Sequence, residues 1–143
     1  MNRILLIDDD FDDAGIFREA LEEVDPGIVF QYFSDGAEAM QDLDRLEELL
    51  PDLIFLDINM PTISGWECLG EFKKKEPLNG VPVIIYTTSS QRQEVEKAKA
   101  LGASAFITKP NDFKILKSVL AAIVSSPSGR LTETLRNIHH LSD

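Results

Sequence analysis

The sequence has one cysteine, one tryptophan and two histidines, and its 14 basic residues are outnumbered by 25 acidic ones. A lone Cys68 excludes an internal disulfide and fits a reducing compartment. Set near Leu69 and Phe72 among helix-like residues, it reads as a packed core thiol rather than a nucleophile. His139 and His140 are neighbours, so on a helix they point apart, and no further ligand stands at suitable spacing for a metal. A net charge of -11 disfavours direct binding to nucleic acid or to anionic membranes. No apolar run approaches membrane-spanning length and no signal peptide opens the chain, so a cytoplasmic protein is expected. Repeats and low-complexity segments are missing as well.

What is present is an alternation. At 143 residues the chain fits one domain that buries roughly two-thirds of its unfolded surface. Its organising stretch runs from Pro51 to Pro61: four apolar residues, Leu53 to Leu56, end on the carboxylate of Asp57, with Pro61 and Gly65 breaking the chain beyond. Arg3 to Ile7 is a first apolar run, stopped by Asp8-Asp9-Asp10. Ile16, Phe17, Ala20, Leu21 and Val24 recur at helical spacing, and Asp25-Pro26-Gly27 closes that helix. Ile28 to Phe33 is a second strand. Ser34 or Asp35 can cap the following helix, whose inner face carries Ala37, Met40, Leu43 and Leu46.

Beyond the central strand, a helix from about Ser64 to Lys75 is expected to bury Trp66, Leu69 and Phe72. Val81 to Thr87 is the fourth strand, and the helix from Gln91 to Leu101 ends at Gly102. Ala103 to Thr108 is the fifth strand, followed by Lys109-Pro110. Phe113, Leu116, Leu120 and Ile123 mark a last helix. Five strand–helix alternations call for an α/β fold, a doubly wound parallel sheet with right-handed crossovers and helices on both faces. Residues 1–124 form this domain. Residues 125–143 are a linker and a short tail in which Leu131, Leu135 and Ile138 are spaced as on an amphipathic helix, too short for an effector domain.

In such a sheet the ligand crevice lies at the carboxyl ends of the strands. Strand one ends in Asp8 and Asp9, strand three in Asp57, strand four in Thr87 and Thr88, strand five in Lys109. Each alone is compatible with a turn or cap residue; four polar strand ends together point to a site. Carboxylates this close repel one another, and a hard divalent cation resolves the conflict. Oxygen ligands in this number suit Mg²⁺, which leaves room for a phosphate. A carboxylate nucleophile, a metal, the Lys109 cation and a Thr87 donor make a kit for phosphoryl transfer. No Gly-rich phosphate loop follows strand one; three acids stand there instead.

These residues carry a resemblance. Asp8-Asp9-Asp10 after the first strand, Leu56-Asp57-Ile58-Asn59-Met60-Pro61 with Gly65, Tyr86-Thr87, Gly102-Ala103 and Lys109-Pro110 occur in the order and spacing of a response regulator receiver domain of two-component signalling. Over residues 3–124 the chain resembles that family, in its stand-alone single-domain type. The resemblance implies a flavodoxin-like sheet in the order 2-1-3-4-5, Asp57 as phosphoacceptor, and Mg²⁺ held by Asp8, Asp9, Asp57 and the Asn59 backbone carbonyl. It implies that Thr87 and Lys109 hold the phosphoryl oxygens and that the Lys109-Pro110 bond is cis. Asn59 and Ser89 match positions that tune the lifetime of the aspartyl phosphate, and Phe106 matches the aromatic switch that turns inward as Thr87 moves.

The implied donor is a histidine kinase or a histidine phosphotransfer protein, and the implied output is docking to a downstream protein. One departure stands out: Ala103-Ser104-Ala105 replaces the acidic residues that many DNA-binding relatives carry before the switch aromatic. Dimerisation in their manner is therefore not expected. A haloacid-dehalogenase-like phosphatase would need a second aspartate two residues after the nucleophile, where this chain has Asn59. A flavodoxin-like electron carrier would need hydroxyls or glycines after strand one. A receiver that no longer takes phosphate would be missing part of the set, and all of it is present. The protein is thus read as a signalling phosphoacceptor and not an enzyme.

Overall fold

A computed structural model describes residues 1–89 and 91–126, without the side chains of 43, 44 and 47. The tail reading on Leu131, Leu135, Ile138, His139 and His140 lies outside the described residues. Five strands, β1 (Arg3–Ile7), β2 (Val29–Phe33), β3 (Leu53–Leu56), β4 (Val83–Thr87) and β5 (Ala105–Thr108), form one parallel sheet in the order β2-β1-β3-β4-β5. The helices are α1 (Phe11–Val24), α2 (Gly36–Gln41), α3 (Leu43–Glu48), α4 (Gly65–Lys74), α5 (Arg92–Ala100) and α6 (Phe113–Val124).

Strand side chains alternate between faces, and the core divides accordingly. Ile4 and Leu6, Leu53 and Phe55, Ile84 and Tyr86 point to one face, which α1 and α6 cover through Phe17, Leu21, Leu116 and Leu120. Leu5, Ile7, Ile54, Leu56, Ile85 and Phe106 point to the other, covered through Leu46 of α3, Leu69 and Phe72 of α4 and Ala98 of α5. All four residues of β3 are buried, as a central strand between two helical layers requires. β2, at the edge, is the least enclosed, and its Val29 is exposed.

Several details differ from the sequence reading. The expected second helix is two six-residue helices, because Asp42 leaves helical backbone at φ -105°, ψ 14°. Asp35, and not Ser34, caps the first of them, accepting from the Glu38 backbone N–H at 2.8 Å. Ala39 and Leu46 are buried there, while Met40 is only half-buried and the Leu43 side chain is outside the described set. Ile16 is exposed, since Ala14, Phe17, Ala20 and Leu21 already fill the inner stripe of α1. Trp66 is half-buried, with the Lys97 ammonium 4.8 Å from its ring centre. β4 starts at Val83 because Pro82 has no N–H to give; its carbonyl still accepts from Ile54 at 3.0 Å.

One correction falls beside the site. The cis peptide bond among the described residues is Glu76–Pro77, and the Lys109–Pro110 bond is not cis. Trans is the intrinsic preference even before proline, by about 0.5–1 kcal/mol. Gly102 adopts φ +93° between α5 and β5, the left-handed conformation that follows a helix end.

Candidate functional site

The acids are placed by the ladder itself. Beyond the last paired residues, the Asp8 N–H donates to the Phe33 carbonyl at 3.1 Å and the Asp57 N–H to the Ile7 carbonyl at 2.9 Å. The Lys109 N–H donates to the Thr87 carbonyl at 2.7 Å. Asp8, Asp57 and Lys109 therefore leave from backbone still held by a neighbouring strand. The Tyr32 hydroxyl also donates to the Asp8 carbonyl at 2.7 Å. From the other side, Gly65 at the start of α4 lies against this backbone so closely that a Cβ would meet the Asp57 carbonyl oxygen at 2.3 Å.

Asp8 and Thr87 are fully buried and Asp57 is 5% exposed, whereas Asp9 is exposed. One carboxylate oxygen from each of Asp8, Asp9 and Asp57 lies within 4.8 Å of the others. The Asp8 Oδ1 accepts from the Asp10 N–H at 3.0 Å, while its buried Oδ2 has no hydrogen-bond donor. Lys109 Nζ stands 2.7 Å from that Oδ2, a charge contact without hydrogen-bond geometry. Burial pushes the Asp8 carboxyl up to about 6, against the opposing pull of Lys109 and the Asp10 N–H. Burial lowers the Lys109 ammonium, but Asp8 and Asp13 outweigh it and hold the pKa above the ordinary value.

Lys109 Nζ is the hub of the cluster. It donates to Asp13 Oδ2 at 2.9 Å and to Asp57 Oδ2 at 3.4 Å, and lies 5.7 Å from the Tyr86 ring centre. Asn59, two residues past Asp57, donates its own N–H to Asp57 Oδ1 at 3.0 Å. Its side-chain amide donates to Thr87 Oγ1 at 3.2 Å, which links the third and fourth strand ends. Ser89 Oγ hydrogen-bonds Glu94. Phe106 is not at the cluster: it is 2% exposed and packs in the core on the α5 side.

Asp13 was not singled out by sequence. An acid in the first turn of a helix is explained by the helix dipole alone, so nothing local marks it; only the packing of α1 and β5 about one core brings it to Lys109. The donor set fits a hard divalent cation. Three carboxylates converge, two of them buried, against the one Lys109 ammonium, and the Asp8 Oδ2 meets that charge without a well-aligned hydrogen bond, so the excess of negative charge is what such an ion offsets. A cation there would also relieve the burial that raises Asp8.

Comparisons with known proteins bear on the family and the fold. Response regulator Rcp1 of Synechocystis sp. is 31% identical over 128 residues, covering 85% of this chain and 86% of the relative. A protein-glutamate methylesterase/protein-glutamine glutaminase of Methanospirillum hungatei is 34% identical over 139 residues, 96% of this chain. This chain spans only 37% of that relative's length. Among solved structures, the Mn²⁺-bound form of Rcp1 matches with a TM-score of 0.74 at 30% identity, over 87% of this chain and 93% of the other. The phosphorylated cyanobacterial phytochrome response regulator RcpA matches with a TM-score of 0.75 at 31% identity, over 85% and 90%. The family model for the response regulator receiver domain matches residues 4–121, most of the chain. A flavodoxin-like sheet whose strand ends gather three carboxylates and a lysine thus belongs to the response regulator receiver domain family of two-component signalling.

Proposed function

We propose that Asp57 is the phosphoacceptor of this receiver and that a histidine kinase or histidine phosphotransfer protein supplies the phosphoryl group. The observation that carries the reading is the placement of Asp57. It is a nearly buried carboxylate at the end of the central strand, within reach of a lysine and grouped with two further acids. Asp8, Asp9, Asp57 and the Asn59 carbonyl would hold Mg²⁺, which when bound supplies positive charge against the phosphoryl oxygens. An Asp57 carboxylate oxygen attacks phosphorus, the P–N bond of the donor phosphohistidine breaks, and the imidazole leaves with that electron pair. Lys109 sets its charge against the transferred group and Thr87 offers its hydroxyl. Attack of water on the acyl phosphate later returns Asp57 and inorganic phosphate.

The same reading makes the protein a signalling phosphoacceptor and not an enzyme acting on other substrates. Residues 1–124 form the receiver. The output is a protein docked on the surface of α5, β5 and α6. Thr87, now held by Asn59, would answer to the phosphoryl group, and Phe106 behind it would repack. Among the described residues no helix is long and apolar enough to cross a membrane; the cytoplasm is where such donors present phosphohistidine.

The test is intact-protein mass spectrometry after incubation with acetyl phosphate, with and without Mg²⁺. The wild type should gain one phosphoryl group only with Mg²⁺, and hydroxylamine should remove it. Asp57→Asn should gain none. Labelling that persists on another residue in the variant would overturn the assignment.

A further inference from the structure

Lys109 is shared, and the sharing is unequal. Its ammonium lies 2.7 Å from Asp8, 2.9 Å from Asp13 and 3.4 Å from Asp57, so Asp8 and the acid on α1 both hold it more closely than Asp57 does. Asp13 does not belong to the trio of Asp8, Asp9 and Asp57 that can hold an ion. It therefore keeps its full charge when a cation neutralises those three. Its side chain is 32% exposed while that of Lys109 is 7% exposed, so the bond runs from a nearly buried ammonium to a partly solvated acid. Its role in the helix cap is carried by its backbone N–H, which donates to Asp10, and not by its carboxylate.

We propose that Asp13 is a positioning residue that draws the Lys109 ammonium away from Asp57 and weakens its hold on a group transferred there. This rests on Asp57 being the phosphoacceptor. A phosphoryl dianion on Asp57 must compete with Asp13 for the same lysine, and the fixed negative charge of Asp13 also opposes its arrival. Asp13 thereby limits how readily the receiver is loaded. Hydrolysis is less affected, because the dianion is present both before and during that step.

Two measurements test it, each on wild type, Asp13→Asn, Asp13→Glu and Asp12→Asn. The first is the rate of labelling by acetyl phosphate at saturating Mg²⁺. Asp13→Asn should load faster by roughly three- to tenfold, with hydrolysis changed less than about twofold. Asp13→Glu should restore the wild-type rate. Asp12→Asn, which removes the same charge from an exposed neighbour, should load at the wild-type rate. The second is the NMR coupling carried across hydrogen bonds from the Lys109 ammonium nitrogen to carboxyl carbons in the metal-free protein. Coupling to Asp57 should grow in Asp13→Asn. Unchanged coupling, or loading in Asp13→Asn at or below the wild-type rate, would overturn the proposal. If wild type itself takes no label on Asp57, the phosphoacceptor reading fails and the coupling alone decides whether Asp13 holds Lys109.

Discussion

At the scale of single residues, Asp8 is a carboxyl held where its charge is disfavoured. It is fully buried, and its carboxyl is pushed up to about 6 from an ordinary 3.8. A carboxyl whose pKa is raised on folding favours the folded state when protonated. That stabilising contribution is present in full below about 4 and is lost as pH rises through about 6. At neutral pH without metal the ionised group therefore costs up to about 3 kcal/mol. Asp8→Asn should raise the unfolding free energy of the metal-free protein at pH 7.5 by up to that amount. The gap between variant and wild type should narrow as pH falls to 5. Urea denaturation at both pH values checks it; a gap that does not change with pH would show that ionised Asp8 is not disfavoured. Mg²⁺ should raise the stability of the wild type and not of the variant.

At the scale of elements, the junction between β3 and α4 sets where Asp57 can be. Gly65 lets the first turn of α4 rest on the Asp57 and Ile58 backbone; a Cβ there would lie 2.6 Å from Ile58 Cα. Because that neighbour is backbone rather than a flexible side chain, it cannot step aside without moving Asp57. Gly65→Ala should lose about 1–3 kcal/mol of stability and slow labelling of Asp57. Gly70, in the middle of the same helix, has nothing within 4 Å of its missing Cβ. Gly70→Ala should be neutral or gain up to about 1 kcal/mol from helix propensity. Equal effects at the two glycines, read from urea midpoints, would mean that helix propensity and not the close approach governs both.

At the scale of the whole molecule, the sheet separates two cores, and the aromatic residues concentrate in one. The Phe17 ring meets Phe55 at 4.9 Å, Tyr86 at 5.6 Å and Phe30 at 5.8 Å between centroids. It thereby ties α1 to three strands of the sheet. Phe17→Ala should cost about 3–5 kcal/mol, as emptying a fully buried aromatic site does. Since α1 also carries Asp13 to Lys109, the same cavity should loosen the site, and Phe17→Leu should recover most of the loss. A Phe17→Ala protein with its urea midpoint unchanged would place the mechanical centre elsewhere.

The chain by itself determined the alternation of strands and helices and the four strand ends where the polar groups gather. Alternation of apolar runs with helical periodicity leaves little choice of architecture, and Asp8, Asp9, Asp57, Thr87 and Lys109 all stand where such a run stops. Local signals were less decisive wherever two readings cost nearly the same. One aspartate, Asp42, divided a helix that looked continuous, and Ile16 and Trp66, both apolar at helical spacing, ended at the margins of stripes already filled by neighbours. The isomer of the Lys109–Pro110 bond followed the intrinsic preference rather than the resemblance. Tertiary structure alone decided the partners of Lys109. Asp13 is 96 residues away along the chain. Its carboxylate reaches the lysine only because α1 and β5, packed about the same core, carry both side chains to one end of the sheet, a long-range consequence of packing that no local spacing records.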